Sequence, residues 1–156
     1  MSTKSKNTLY IIVAIVVVVI VIAGVLGYVY TRPSGSSGGG GTQISIYGSD
    51  SPSYGFGSSS SSITSPGPTL TFTAGEKVTV TFHNVGTMGH NWAIVNAQSS
   101  TATVIWRAQI GSSANPVSPG SSASVTFTVG SAGNYYYICQ VDNHVGLGMY
   151  GSVTVT

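Results

Sequence analysis

Residues 9–30 form a continuous apolar run, rich in Ile and Val and without a charge. At about 1.5 Å per helical residue the run reaches about 33 Å, enough to cross a bilayer core. Its β-branched residues are poor helix formers in water. Hydrocarbon offers the backbone no other partner, so it enforces internal hydrogen bonding and a helix. One transmembrane helix is expected over residues 9–30, with Tyr28 and Tyr30 where an interfacial aromatic belt would lie. A cleaved signal peptide has an apolar core of about 7–15 residues and ends in a small-x-small site. Tyr28-Val29-Tyr30 is not such a site, so an uncleaved anchor is expected. Lys4, Lys6 and the amino terminus outweigh Arg32. That bias predicts a cytoplasmic segment 1–8 and an extracytoplasmic remainder.

Residues 31–41, centred on Pro33-Ser-Gly-Ser-Ser-Gly-Gly-Gly-Gly41, read as a flexible tether. From Thr42 the pattern changes to period two, and residues 42–156 read as one domain. Ile44 and Ile46 alternate with polar residues, as do Val78, Val80 and Phe82, and later Val125 and Phe127. Leu70 and Phe72 begin a strand pair, with Thr73-Ala-Gly-Glu76 as the turn. Further extended stretches run from His90 to Val95, Thr103 to Ile110, Gly133 to Cys139 and Gly151 to Thr156. Gly48 to Pro68, dense in Ser, Gly and Pro, reads as a long loop, either partly disordered or covering one face. About seven or eight short strands separated by turn signals predict an all-β sandwich. No amphipathic helical period and no internal repeat is evident.

Composition narrows the function. Only 5% of residues are charged, against about 25% in an ordinary soluble domain. Asp50, Glu76 and Asp142 are the only acids, and the net charge is +2. Nucleic-acid binding needs a clustered basic face, which is absent. The single cysteine, Cys139, excludes an intrachain disulfide. A lone cysteine in an exported domain is a reactive thiol, an intermolecular bridge or a metal ligand, unless it is simply a small buried hydrophobe.

The neighbours of Cys139 decide between these. Cys139, His144 and Met149 stand in the spacing Cys-x4-His-x4-Met, directly after the strand-like run Tyr135-Tyr136-Tyr137-Ile138. A thiolate, an imidazole and a thioether together select copper, and two histidines with one cysteine and a weak axial methionine form a blue-copper set. The other histidines are His83 and His90. His83 has the strand phase opposite to Val80 and Phe82, so it should point away from the side they bury. His90 is the favoured second histidine. Met88 competes with Met149 for the axial position, and the downstream spacing favours Met149.

On these residues the chain resembles the cupredoxins. Among them it is most similar to the sulfocyanins, membrane-anchored blue copper proteins of acidophilic archaea. The rusticyanins share the loop spacing, and Gly89-His90-Asn91-Trp92 resembles the first-ligand motif of the family. The loop is longer than the Cys-x2-His-x4-Met form of plastocyanins and lacks the proline often found between Cys and His. The resemblance implies a Greek-key sandwich behind one N-terminal transmembrane helix, holding one type 1 copper ion on His90, Cys139, His144 and Met149. It also implies that Asn91 hydrogen-bonds across to the loop beside Cys139. Asn143 and Gly146 are expected to shape the loop's bends, and Leu147 with its flanking glycines an apolar docking patch.

The expected activity is one-electron transfer at the cell membrane, without catalysis. The partners implied are respiratory complexes: a cytochrome bc-type complex, a terminal haem-copper oxidase or an iron-oxidation chain. The copper domain is expected to act as a monomer. A multicopper oxidase needs many more histidines than three, and a dinuclear copper domain needs two cysteines. Copper trafficking would favour exposed Met/His clusters, which the sequence lacks, and a surface adhesion module would bind no metal.

Acid denaturation proceeds largely by protonating carboxylates that are paired in the fold. With three acids in the chain, the copper-loaded protein is expected to keep its fold and colour in strong acid. Circular dichroism and visible spectra across a pH series check this, and loss of either near mildly acidic pH contradicts it.

Overall fold

The computed structural model describes residues 41–156. The segments 1–8 and 9–30, and the tether up to residue 40, lie outside the described residues. The rest folds into ten strands: β1 (Thr42–Ser49), β2 (Gly55–Gly57), β3 (Ile63–Thr64), β4 (Leu70–Phe72), β5 (Lys77–Asn84), β6 (Trp92–Val95), β7 (Val104–Ile110), β8 (Ser122–Thr128), β9 (Gly133–Ile138) and β10 (Tyr150–Val155). They make two five-stranded sheets, ordered β3-β2-β1-β5-β8 and β4-β10-β9-β6-β7. No helix occurs among the described residues.

The period-two segments face inward where the sequence predicted. On β5, Val78, Val80, Phe82 and Asn84 are buried while their neighbours are not. The outward positions of β5 pair with β8 through hydroxyl contacts: Thr79 with Thr126 at 2.8 Å and Thr81 with Ser124 at 2.9 Å. His83 continues that row, its Nδ1 2.7 Å from Ser122 Oγ and its ring stacked on Tyr47. This strand phase takes it away from the core, as expected. The main core lies between the sheets and joins Ile46, Phe56, Phe82, Trp92, Phe127, Tyr137 and Val153.

All four residues of β6 are buried, which alternation alone does not explain. Trp92 and Ile94 join the main core, whereas Ala93 and Val95 join a second cluster with Ile138 and Val145. Ala102, Val104, Tyr136 and Tyr150 pack against that second cluster. Apolar cover on both faces turns the β6 sequence into an unbroken apolar run.

Three expectations change. The strands number ten rather than seven or eight. Two of the extra strands lie in the Gly48–Pro68 stretch, which is not a plain loop. β1 runs on to Ser49, β2 pairs antiparallel with it, and β3 pairs with β2. Phe56 is fully buried between glycines. A Cβ on Gly55 would meet the Thr64 carbonyl oxygen, and one on Gly57 that of Ser62, each at 2.3 Å, so the glycines reflect close strand approach. Third, Leu70–Phe72 does not pair with β5. It lies parallel to β10 in the other sheet, and Thr73–Glu76 carries the chain across. The crossing is held by Glu76, whose carboxylate accepts the Thr73 amide at 2.9 Å, and by Gly75 at φ 82°. Phe72 and Val78 both enter the core, one from each sheet, and burial of both sides selects this crossing over a hairpin.

Phe82 is fully buried against Phe56, with ring centroids 6.1 Å apart. Phe82→Ala is expected to cost about 3–5 kcal/mol through lost transfer energy and a residual cavity. The measurement is a urea titration, with the midpoint lowered and the slope unchanged.

Candidate metal centre

Two backbone features bring the donors to one end of the sandwich. The first is the β9–β10 connection. Tyr150 pairs with Ile138, and the ladder continues as the Cys139 amide donates to the Met149 carbonyl at 3.0 Å. Cys139 and Met149 thus stand opposite one another at the base of the loop. Residues opposite in an antiparallel ladder project to the same face, and both side chains are fully buried in the main core cluster. Between them the chain coils back: the Met149 amide donates to the His144 carbonyl at 3.0 Å and the Leu147 amide to the Asn143 carbonyl at 3.2 Å. A Cβ on Gly146 would approach the Asn143 side chain to 2.5 Å, so Asn143 and Gly146 do share a tight bend.

The second feature is the β5–β6 turn. Asn84, 1% exposed, donates from Nδ2 to the carbonyls of Met88 and Val117, each at 2.8 Å, and accepts the Gly86 amide at 3.0 Å. One buried amide so holds both ends of the turn. His90 follows, bridged to Val117 in both directions by backbone hydrogen bonds of 3.2 and 2.8 Å. Asn91 then fastens this segment to the other. Its side-chain oxygen accepts the Gln140 amide at 2.6 Å, and its own amide points at Cys139 Sγ at 3.4 Å. The cross-loop role expected for Asn91 is present.

Cys139 Sγ, His90 Nδ1 and His144 Nδ1 converge. Sγ lies 3.5 Å from His144 Nδ1 and 3.9 Å from His90 Nδ1, and the two nitrogens are 3.1 Å apart. All three residues are buried, and their ligand atoms lie within 4.8 Å of one another. A trigonal ion at ordinary metal–nitrogen and metal–thiolate lengths would hold nitrogens about 3.5 Å apart and nitrogen and sulfur about 3.8 Å apart. The sulfur–nitrogen separations straddle the expected value and the nitrogen–nitrogen separation falls short of it, so a small outward shift of the two rings would let the three residues hold a single ion. Met149 is buried on the same side as Cys139, with its methyl carbon toward Gly48. His83 lies elsewhere, on the outer face of β5. Met88 sits beside the site but is 43% exposed. Its sulfur faces the Tyr54 hydroxyl at 3.3 Å, so it is a rim residue rather than a packed one. Tyr137 and Trp92 share the core cluster with Cys139, and Tyr135 packs against it.

Sequence reasoning missed two contributors, both in the stretch read as a loop. Tyr54 lays its ring 4.9 Å from that of His144. Asp50 lies just beyond β1, its side chain 7% exposed, with Oδ1 3.0 Å from His90 Nε2. The same carboxylate accepts the amides of Thr87 at 2.7 Å and Met88 at 3.1 Å, and the Thr87 hydroxyl at 2.5 Å. The available signal was scarcity: an acid in a chain with three of them, inside a serine-rich stretch.

The ionisation states follow from burial and these contacts. Burial alone would raise the Asp50 carboxyl, but hydrogen bonds from Thr87, His90 and Met88 outweigh it and hold the group far below the usual carboxylate range. Burial lowers His90, against the opposing pull of Asp50. Burial lowers His144 too, with His90 adding to the effect. Burial pushes the Cys139 thiol up to about 11, although amides of Asn91 and Val141 oppose it. Both imidazoles are therefore neutral at pH 7 and free to donate a lone pair. The thiol keeps its proton until a metal displaces it, so loading releases a proton.

Residues 57–156 match the family described as copper binding proteins, plastocyanin/azurin family. Auracyanin-A of Chloroflexus aurantiacus is 35% identical over 103 residues, which cover 55% of this chain and 63% of that protein. Rusticyanin of Acidithiobacillus ferrooxidans is 37% identical over 93 residues, covering 56% of this chain and 50% of that protein. The chain thus spans about half to three-fifths of the length of these relatives. A rusticyanin structure from Thiobacillus ferrooxidans superposes with a TM-score of 0.55 at 24% identity, covering 75% of this chain and 79% of that one. At that identity the superposition speaks for the two-sheet fold.

The lowered histidines set a pH dependence. Unfolded, both titrate near their ordinary value of 6.5; folded, both resist protonation to lower pH. As pH falls below about 6.5, the unfolded chain binds protons that the folded one refuses, so stability falls. Metal-free protein is expected to show a lower urea midpoint at pH 5 than at pH 8. The drop should shrink in a His90→Gln, His144→Gln double variant.

Proposed function

The chain belongs to the plastocyanin/azurin family of copper-binding proteins, and from that premise we propose that it is a membrane-anchored type 1 blue copper protein. It carries single electrons outside the cytoplasm and is not an enzyme. The observation that carries this reading is the buried convergence of Cys139 Sγ, His90 Nδ1 and His144 Nδ1 within 4.8 Å, with Met149 buried opposite Cys139. Copper held there supplies a Cu(II)/Cu(I) couple that takes up and gives back one electron.

The chain's own residues do the rest. His90 and His144 offer neutral imidazole nitrogens. Cys139 gives up its proton and binds as thiolate, while the Asn91 amide directed at its sulfur stabilises the added negative charge. Met149, buried beside Cys139, would be the fourth residue to hold the copper. The ligands are fixed from two directions, through Asn84 and Asn91 on one side and the Cys139–Met149 backbone bond on the other. Ligand residues held in this way would need little rearrangement when an electron is exchanged, which would keep the cost of electron transfer low. Burial excludes water and, with outer hydrogen bonds, tunes the potential.

The finer reading is a sulfocyanin-like carrier. The apolar run at residues 9–30 supports a single-pass anchor with the copper domain outside the cell membrane. On this reading the partners are respiratory complexes, namely a cytochrome bc-type complex, a terminal oxidase or an iron-oxidation chain. Leu147, in the ligand loop, is 53% exposed, and Met88, linked through Tyr54 to His144, is 43% exposed. Exposed apolar side chains beside the site suit brief, weakly charged encounters with such complexes.

The test is addition of Cu(II) to the full chain in detergent. An intense visible thiolate-to-copper band is expected in the parent and absent from Cys139→Ser. A folded parent that stays colourless removes the proposal.

A further inference from the structure

Asp50 has no part in the donor set, yet its carboxylate is placed on the far side of one donor ring. It stands at the end of β1, with its side chain 7% exposed, and reaches across to the β5–β6 turn. Four contacts fix it there: the amides of Thr87 and Met88, the Thr87 hydroxyl, and His90 Nε2. Gly86 makes the approach possible, since a Cβ at that position would lie 2.1 Å from Asp50 Oδ1 and 3.0 Å from His90 Nε2. The fit between this glycine, the carboxylate and the ring marks a built contact rather than a passing one.

The chemistry of the pair is directional. An ionised carboxylate only accepts hydrogen bonds. Facing Nε2 at 3.0 Å, it requires the ring proton of neutral His90 to sit on Nε2. Nδ1 is then left with a bare lone pair, and Nδ1 is the atom that faces Cys139 Sγ and His144 Nδ1. The carboxylate also withdraws the Nε2 proton toward itself and makes Nδ1 a stronger donor, the general effect of an outer carboxylate on a metal-bound histidine. A stronger donor and a nearby negative charge both favour the higher charge of Cu(II) over Cu(I).

Resting on the copper-carrier reading, the geometry points to Asp50 as a positioning residue that fixes the His90 tautomer and lowers the reduction potential of the site. It acts through His90 and touches no ligand atom. The near-isosteric substitution Asp50→Asn would keep an oxygen acceptor, and with it the ring's place, while removing the charge.

Two measurements test this. In metal-free full chain labelled with 15N-histidine, only three histidines contribute. At neutral pH, His90 is expected as the Nε2–H tautomer, and an Nδ1–H tautomer overturns the proposal without any variant or copper. In the copper-loaded chain, Asp50→Asn is expected to keep the visible band and to weaken Cu(II) relative to Cu(I) about tenfold, at the lower end of outer-contact effects. That ratio equals a rise of about 59 mV in the one-electron potential. An unchanged or lowered potential in a folded, coloured Asp50→Asn protein overturns the proposal. A parent that takes up no copper defeats the carrier reading instead, and the tautomer measurement still judges the Asp50–His90 pair.

Discussion

Three electron-pair donors are held within 4.8 Å of one another in a buried pocket. Taken out of water at a cost in hydration, they have chiefly one another as partners: His90 Nδ1, His144 Nδ1 and Cys139 Sγ lie within hydrogen-bond reach. The rest of the domain can be understood as the apparatus that sustains this arrangement. The cost is offset by hydrogen bonds placed behind the donors: Asp50 behind His90, the Asn91 amide behind Cys139, and the backbone bonds of Val141 and Met149 around His144. A metal ion would replace these mutual hydrogen bonds by coordination, so binding and folding reinforce one another.

Rigidity comes from using two sheets. The ligand loop belongs to the β9–β10 connection of one sheet. Asp50 and the turn leading to His90 extend from β1 and β5 of the other. The parallel register of β1 with β5 sets Gly48 opposite Asn84, so the residue that supports His90 from behind and the residue that holds its turn come from adjacent strands. Asn91 joins this half to the loop through Gln140. Cys139 and Met149 continue the β9–β10 ladder, while backbone hydrogen bonds tie His90 to Val117 and His144 to Val141 and Met149. For the carrier role proposed above, which requires a change of charge without a change of shape, this cross-linking is more useful than raw stability.

Sparse charge shapes behaviour in acid in two opposing ways. Few carboxylates mean little charge change on the surface. The metal-free site, by contrast, contains two buried neutral histidines whose protonation the fold resists. Acid tolerance by composition is thus expected of the loaded protein, where the metal occupies the nitrogen lone pairs, and is weakened once the metal is lost.

The sequence alone determined the all-β class and the strands with clear alternation, because burial of one face writes a period of two into residues such as Val78, Val80 and Phe82. It determined that Cys139, His144 and Met149 share one loop, because loop spacing is a local property. It separated His90 from His83, because strand phase says which face a side chain takes. Tertiary structure alone decided the rest. β4 and β5 lie in different sheets because both Phe72 and Val78 need cover from opposite sides, a condition with no local signature. The serine-rich stretch forms strands because Phe56 finds a core position and its glycines admit a neighbouring backbone. Asp50 and Tyr54 reach the site because β1 ends beside the β5–β6 turn, a contact between residues about forty positions apart in the chain. Spacing encodes what a single loop can hold, whereas the support of a metal donor from behind is fixed only when separate strands are brought into register.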